Sequence, residues 1–338
     1  MYAPARPLRG FPPPIAPGHE GPDGLLRIPR MGSGAAVEVA GLVKRYGGRT
    51  AVDGLDLSVA RGTVTAVLGP NGAGKTTTVE TCEGYRRPDE GSVRVLGLDP
   101  VAQSARLRPR VGVMLQSGGV YSGARAAEML RHMATLYAHP LDTGMLIYRL
   151  GLDGCGRTPY RRLSGGQQQR LALAMAVVGR PELVFLDEPS AGLDPQARRA
   201  GWDLVRELRS DGVTVVLTTH DMGEAEELAD HVAIVDAGRV VAEGSPDELC
   251  RGGAENSLRF TGRPGLDLAS LLKALPDGTA AAELVPGGYR LTGTVDPQML
   301  ATVTSWCAQN GVLPDGIAVE RRTLEDVFLE LTGKELRS

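Results

Sequence analysis

The chain is poor in several things, and each shortage closes off a class of function. Aromatic residues make up only 4% of its 338 residues, too few for a base-stacking surface of the kind that single-stranded nucleic acids need. The formal net charge is −3, so no overall basic field draws in a polyanion. Nucleic acid is not an expected partner. The four cysteines, Cys82, Cys155, Cys250 and Cys307, lie far apart and form no C-x-x-C pair. They read as small buried hydrophobes, not as a disulfide framework or a zinc site. The longest apolar run, Leu171 to Val178, has eight residues, far short of the roughly 20 that cross a bilayer. No sustained heptad pattern supports a long coiled coil.

What is present divides the chain in three. Residues 1–35 hold eight of the 23 prolines and four glycines before Arg30. Such a segment buries too little apolar surface to offset its ordering entropy, so it reads as a disordered Pro/Gly-rich tail. Met31 stands at its end, and the expectation is that translation starts there. Residues 36–252 alternate strand and helix patterns. Residues 253–338 change texture and read as a small α+β appendage that carries no chemical motif.

The most informative stretch is Gly69-Pro70-Asn71-Gly72-Ala73-Gly74-Lys75-Thr76, followed by Thr77. It fits the phosphate-loop pattern G-x-x-x-x-G-K-[ST] without a mismatch. A short β-branched run, Thr63 to Leu68, precedes it, and a helix pattern to about Glu83 follows. Strand, glycine turn and helix together aim free N–H groups and a helix N-terminus at an anion. Lys75 supplies a full positive charge for β- and γ-phosphates, and the Thr76 hydroxyl is placed to ligate Mg²⁺.

A second anion-binding pattern is Leu163-Ser164-Gly165-Gly166-Gln167, where Ser164 is a good N-cap. Two such sites imply two nucleotides, or one nucleotide held between two chains. The run Leu183 to Leu186 reads as a buried strand that ends in Asp187 and Glu188. In a parallel sheet that end is the ligand edge. Asp187 is a metal-ligand candidate, and Glu188 could polarise an attacking water. Taken alone, three other residues stay ambiguous. Tyr46 could stack on a purine or simply pack. Gln116, at the exit of a strand over 111–115, is unremarkable by itself. His220, at the end of a strand over 212–219, could be structural or could reach a γ-phosphate. Glu224, Glu226 and Glu227 read as a solvated acidic helix face. Residues 36–43 read as an edge strand, and the helical patterns over 124–150 break at Pro140 and Gly144.

Over residues 36–250 the sequence resembles the ATP-binding subunit of an ABC transporter. The phosphate loop matches Walker A, Ser164-Gly165-Gly166-Gln167 with Leu163 the ABC signature, and Val184 to Glu188 Walker B. Ser190 to Asp194 matches the D-loop, Gln116 the Q-loop, His220 the switch histidine and Tyr46 the A-loop. The C-terminal stretch 323–333 is similar to ATPases of daunorubicin-resistance-type drug exporters. The resemblance implies an α/β P-loop NTPase, with a RecA-like core and antiparallel β and helical subdomains, plus the C-terminal α+β domain. It implies ATP and Mg²⁺, with Thr76, Gln116 and Asp187 at the metal and Glu188, His220 and Gln116 at the reacting phosphate. It implies a head-to-tail homodimer in the ATP-bound state, with the signature on the partner's ATP, and a separately encoded membrane permease. The implied location is the cytoplasmic side of the cell membrane, bound peripherally, and the implied activity is export of a drug-like small molecule. A non-transport ABC ATPase of regulatory or self-resistance type is the alternative.

Overall fold

In the computed structural model, residues 34–114, 121–251, 257–276, 278–293, 295–320 and 322–333 are described. Residues 1–33 of the tail and Gln116 lie outside them, while Ala35, read as the last residue of the tail, begins a strand.

In chain order, β1 (Ala35–Tyr46), β2 (Arg49–Ala60) and β3 (Val64–Leu68) lead into α1 (Lys75–Cys82). There follow β4 (Glu90–Val95), α2 (Ser104–Leu107), β5 (Val111–Met114), α3 (Ala126–Ala134), α4 (Thr143–Arg149), α5 (Gly165–Val177) and β6 (Leu183–Asp187). The first unit closes with α6 (Pro195–Ser210), β7 (Thr214–Thr219), α7 (Met222–Leu228), β8 (His231–Asp236) and β9 (Arg239–Gly244).

The central sheet has the order β5-β6-β7-β3-β8-β9, parallel except for the β8–β9 pair. Every residue of β3, β6 and β7 is buried. This is why these strands read as continuous Val/Leu/Thr runs and not as alternating ones: a parallel strand is covered on both faces. Because β6, β7 and β3 are neighbours, their C-terminal ends share one edge. Asp187 pairs with Thr218, and Thr219 pairs with Leu68. The loops that follow these three strands begin with Gly69, Glu188 and His220, so the topology alone gathers the chemistry-bearing residues.

A second sheet, β2-β1-β4, is antiparallel. The expectation of an edge strand at 36–43 is corrected here: β1 is the central strand. Val37 and Val39 are buried, as are their neighbours Leu57, Val59, Val93 and Val95. A lone strand pattern cannot reveal that a distant segment closes its other side. Gly144 does not break a helix either. It lies inside α4, whose first turn is capped by the Asp142 carboxylate accepting from the Met145 N–H, an interaction strong enough to start a helix at a poor helix former.

The chain divides into two compact units between Ser245 and Pro246, somewhat before the compositional boundary at 252. The second unit contains α8 (Pro246–Arg251), β10 (Ser257–Thr261), α9 (Leu268–Ala274), β11 (Ala280–Val285), β12 (Gly288–Thr292), α10 (Pro297–Gln309), β13 (Gly316–Glu320) and α11 (Leu324–Thr332). Its antiparallel sheet runs β11-β12-β10-β13. Leu258, Phe260, Tyr289 and Leu291 form a core with Leu271, Val303 and Trp306 from the helices.

Candidate nucleotide site

The loop between β3 and α1 is forced into its shape by close backbone approach. A Cβ at Gly74, where φ is +105°, would fall 2.6 Å from the Ala51 carbonyl oxygen. One at Gly69 would fall 2.2 Å from the Val235 oxygen. No side chain fits at either position, and Gly74 also adopts a conformation that costs an L-residue energy. Lys75 is buried, and its Nζ donates to the Gly69 carbonyl at 2.6 Å and the Pro70 carbonyl at 3.2 Å. Burial lowers its pKa, while the Glu188 and Asp187 carboxylates act in the opposite direction.

Around this loop lies a cavity of about 430 Å³, lined by Tyr46, Arg49, Ala51, residues 71–77, Asp187 and Glu188. Tyr46 is 41% exposed. The Lys44 Nζ lies 5.6 Å and the Arg86 guanidinium carbon 5.7 Å from its ring centroid, so the ring is held in place by cation–π contacts. On the opposite wall Asp187 is buried and accepts from the Thr218 hydroxyl. Burial raises its pKa, partly offset by that hydrogen bond.

Glu188 takes a left-handed backbone, with φ of +49°, a conformation that non-glycine residues rarely adopt and that clusters at functional sites. Two bonds fix it. Its N–H donates to the Thr218 carbonyl at 3.0 Å, and its carbonyl accepts from Gln169 Nε2 at 2.6 Å. The side chain meets His220, whose Nδ1 lies 3.1 Å from Glu188 Oε1. A carboxylate and an imidazole thus adjoin one another beside a buried lysine and a second carboxylate, an arrangement suited to moving a proton from water.

A hard-oxygen donor set is also present, with the Asp187 carboxylate and the Thr76 hydroxyl on the same cavity. Among the described residues no cluster of three or more His, Cys, Asp or Glu side chains could hold a metal by itself. Such a sparse set fits Mg²⁺, which keeps several waters and takes further ligands from phosphate.

The other anion pattern is elsewhere. Ser164 caps α5 in a capping box: its hydroxyl accepts from the Gln167 N–H at 3.2 Å, and the Gln167 side chain accepts from the Ser164 N–H at 2.9 Å. Ser164 and Gly165 are exposed, and nothing lies within 4 Å of a Cβ built at Gly165. None of Ser164, Gly165, Gly166 and Gln167 lines the phosphate-loop cavity. Asp194 does not line it either; its carboxylate caps α6, accepting from the Gln196 and Ala197 N–H groups. One chain therefore brings together Tyr46, the phosphate loop, Asp187, Glu188 and His220, and leaves the signature apart.

Four residues that the sequence did not single out belong to this constellation or its support. They are Arg49 on the cavity wall, Thr218 on Asp187, Gln169 on the Glu188 carbonyl, and Glu83. Burial, with Asp187 and Glu80 adding to it, pushes the Glu83 carboxyl up to about 8. The acidic face of α7 also needs correction. Glu226 and Glu227 are exposed, but Glu224 is fully buried.

The ABC transporter family profile matches residues 52–191. The daunorubicin resistance ATP-binding protein DrrA3 of Streptomyces coeruleorubidus is 41% identical over 89% of this chain and 97% of its own length. The chain belongs to the ATP-binding subunits of ABC transporters. The Nod factor export ATP-binding protein I of Ralstonia nicotianae is 37% identical over 91% of this chain and 97% of its own. Among solved structures, an ATP-binding subunit of an ABC transporter superposes with a TM-score of 0.59 at 27% identity, covering 64% of this chain and 92% of that one. The protein is thus an ATP-binding and ATP-hydrolysing cassette of exporter type, built on the P-loop NTPase fold. No helix among the described residues is long and apolar enough to cross a membrane.

Proposed function

We propose that this cassette works as half of a pair and drives export of a drug-like small molecule through a separately encoded permease at the cytoplasmic face of the membrane. One observation carries the pairing: the phosphate-loop cavity holds Glu188 and adjoins His220, but none of the signature residues. ATP lies with its base on Tyr46 and its phosphates in the loop from Gly69 to Thr77. Lys75 turns from its own loop carbonyls to the β- and γ-phosphates. The helix N-terminus at Ser164-Gly165-Gly166 of a second copy completes the anion site. Glu188 takes a proton from the attacking water, and His220 holds that carboxylate in place. Thr76 and Asp187 would hold Mg²⁺, which would neutralise charge on the phosphates. Gln116 keeps the role that the family resemblance gives it.

The cargo class rests on relatives named for daunorubicin resistance and Nod factor export. All of them match along nearly their whole length, the C-terminal unit included. The test is a comparison of wild type with Glu188→Gln for ATP binding and for phosphate release. Retained binding with turnover reduced about 100-fold or more is expected, on the scale of a lost general base. Wild-type turnover in the variant contradicts the reading. Co-purification of the chain from membranes with a multi-helix permease tests the partner.

A further inference from the structure

We infer that Glu224 is a positioning residue that locks the loop carrying Glu188 to Asp194 and the strand end carrying His220 into one unit. The inference rests on the proposed function and adds a residue to it.

Glu224 sits on α7 and has no exposed surface. Trp202 of α6 donates its indole N–H to Glu224 Oε1 at 3.1 Å. The Ser190 and Thr219 side chains also lie within reach of the carboxyl, yet Oε2 has no well-aligned partner among the described residues. These contacts sit at informative places. Ser190 is buried two residues after Glu188. Thr219 is the residue before His220. Trp202 is on the helix whose N-terminus Asp194 caps. A single buried carboxyl is therefore bonded to α6 by Trp202 and lies near enough to Ser190 and Thr219 for their hydroxyls to offset part of the effect of its burial, so it adjoins all three segments that bear the proposed hydrolytic and D-loop residues. The charged groups nearby are Asp221, which adds to the burial effect on Glu224, and Arg198, which donates to Asp221 Oδ2 at 3.1 Å. That ion pair ties α6 to the start of α7 independently.

Among the described residues no cation acts on Glu224, and burial raises its pKa. A buried carboxyl of this kind is retained at an energetic cost unless its hydrogen bonds are used. Its shape and bonding can be matched by an amide but not by an alkyl group.

The test compares Glu224→Leu, Glu224→Gln and Trp202→Phe in the full chain, reading ATP affinity by titration, turnover, and the mass of each variant in a Glu188→Gln background with ATP. Glu224→Leu is expected to keep ATP affinity within about twofold, because the phosphate loop is not touched, while losing turnover about tenfold or more and losing ATP-driven pairing. Glu224→Gln is expected to restore both, and Trp202→Phe to show a smaller loss in the same direction. If Glu224→Leu does not fold, Trp202→Phe carries the test alone, since it removes the N–H donor and keeps an aromatic ring at a half-buried position. Wild-type turnover in both Glu224→Leu and Trp202→Phe overturns the assignment. So does an equal fall in affinity and turnover, the mark of a general structural defect. A wild-type chain that binds and turns over no ATP contradicts the parent reading instead.

Discussion

The two anion-binding elements of this chain are built in opposite ways. The phosphate loop is enclosed. Its glycines are jammed against the Ala51 and Val235 carbonyls, its lysine is buried on its own backbone, and Asp187 and Glu188 close the far wall. The signature at the start of α5 is open. It is satisfied only by its own capping box, and Gly165 faces empty space. The first is a site that waits for a ligand within one chain. The second is a helix N-terminus that lines no part of that cavity, as the proposed contribution to another copy's site requires.

Substitution at Gly165 gives the largest expected effect. Gly165→Asp suffices to break the proposed half-site. There is room for the side chain, and a carboxylate at a helix N-terminus favours the helix, so the fold is expected to hold and ATP affinity per chain to stay within about twofold. Turnover should fall about 100-fold or more, as when a preorganised donor to a transition-state anion is lost. Steady-state ATPase assays with parallel binding titration check this. An equal loss of affinity would merge the two regions that we separate. On the other side, Lys75→Ala should weaken ATP binding by about 1.5–3 kcal/mol, roughly 10- to 100-fold, the scale of a charge-assisted hydrogen bond. Calorimetric titration reads it, and unchanged binding breaks the phosphate-loop assignment. Tyr46→Ala should cost only about fivefold in affinity, the worth of one aromatic stack, and should cost as much for ADP as for ATP.

A separate effect, on stability and not on ATP, concerns the enclosed site without nucleotide. The Glu83 carboxyl has its pKa raised from 4.5 to about 8. A raised acid stabilises the fold fully below its unfolded pKa, and that contribution is lost as pH rises through the folded one. Stability should therefore decline between about pH 5 and about pH 8, with a slope of at most about 1.4 kcal/mol per pH unit from this group. Glu83→Gln should flatten that slope in denaturant titrations. An unchanged slope removes Glu83 from the account.

The parts of this architecture that were legible in the sequence are those decided locally. The strand before the phosphate loop, the glycines within it, the Ser164 cap and the C-terminal helices all announce themselves within a few neighbouring residues. The acids after β6 were legible because a buried parallel strand has one functional end. What was not legible depends on which distant segments meet. The centrality of β1 requires β4 to arrive on its far side. Thr218, Gln169 and Arg49 acquire meaning only through contacts across the sheet and loops. Glu224 is an intermediate case. It is one turn from the buried Leu228 and next to the buried Ala225, whereas Glu226 and Glu227 are exposed. Helical periodicity alone places it on the apolar face, and reading the three glutamates as one solvated face missed that.

The most direct test of the open half-site is the molar mass of the Glu188→Gln chain in solution, measured by light scattering with and without saturating ATP. The account predicts one chain without nucleotide and two with it, and the doubling should vanish when Gly165→Asp is added. A mass that stays at one chain while ATP is demonstrably bound contradicts it.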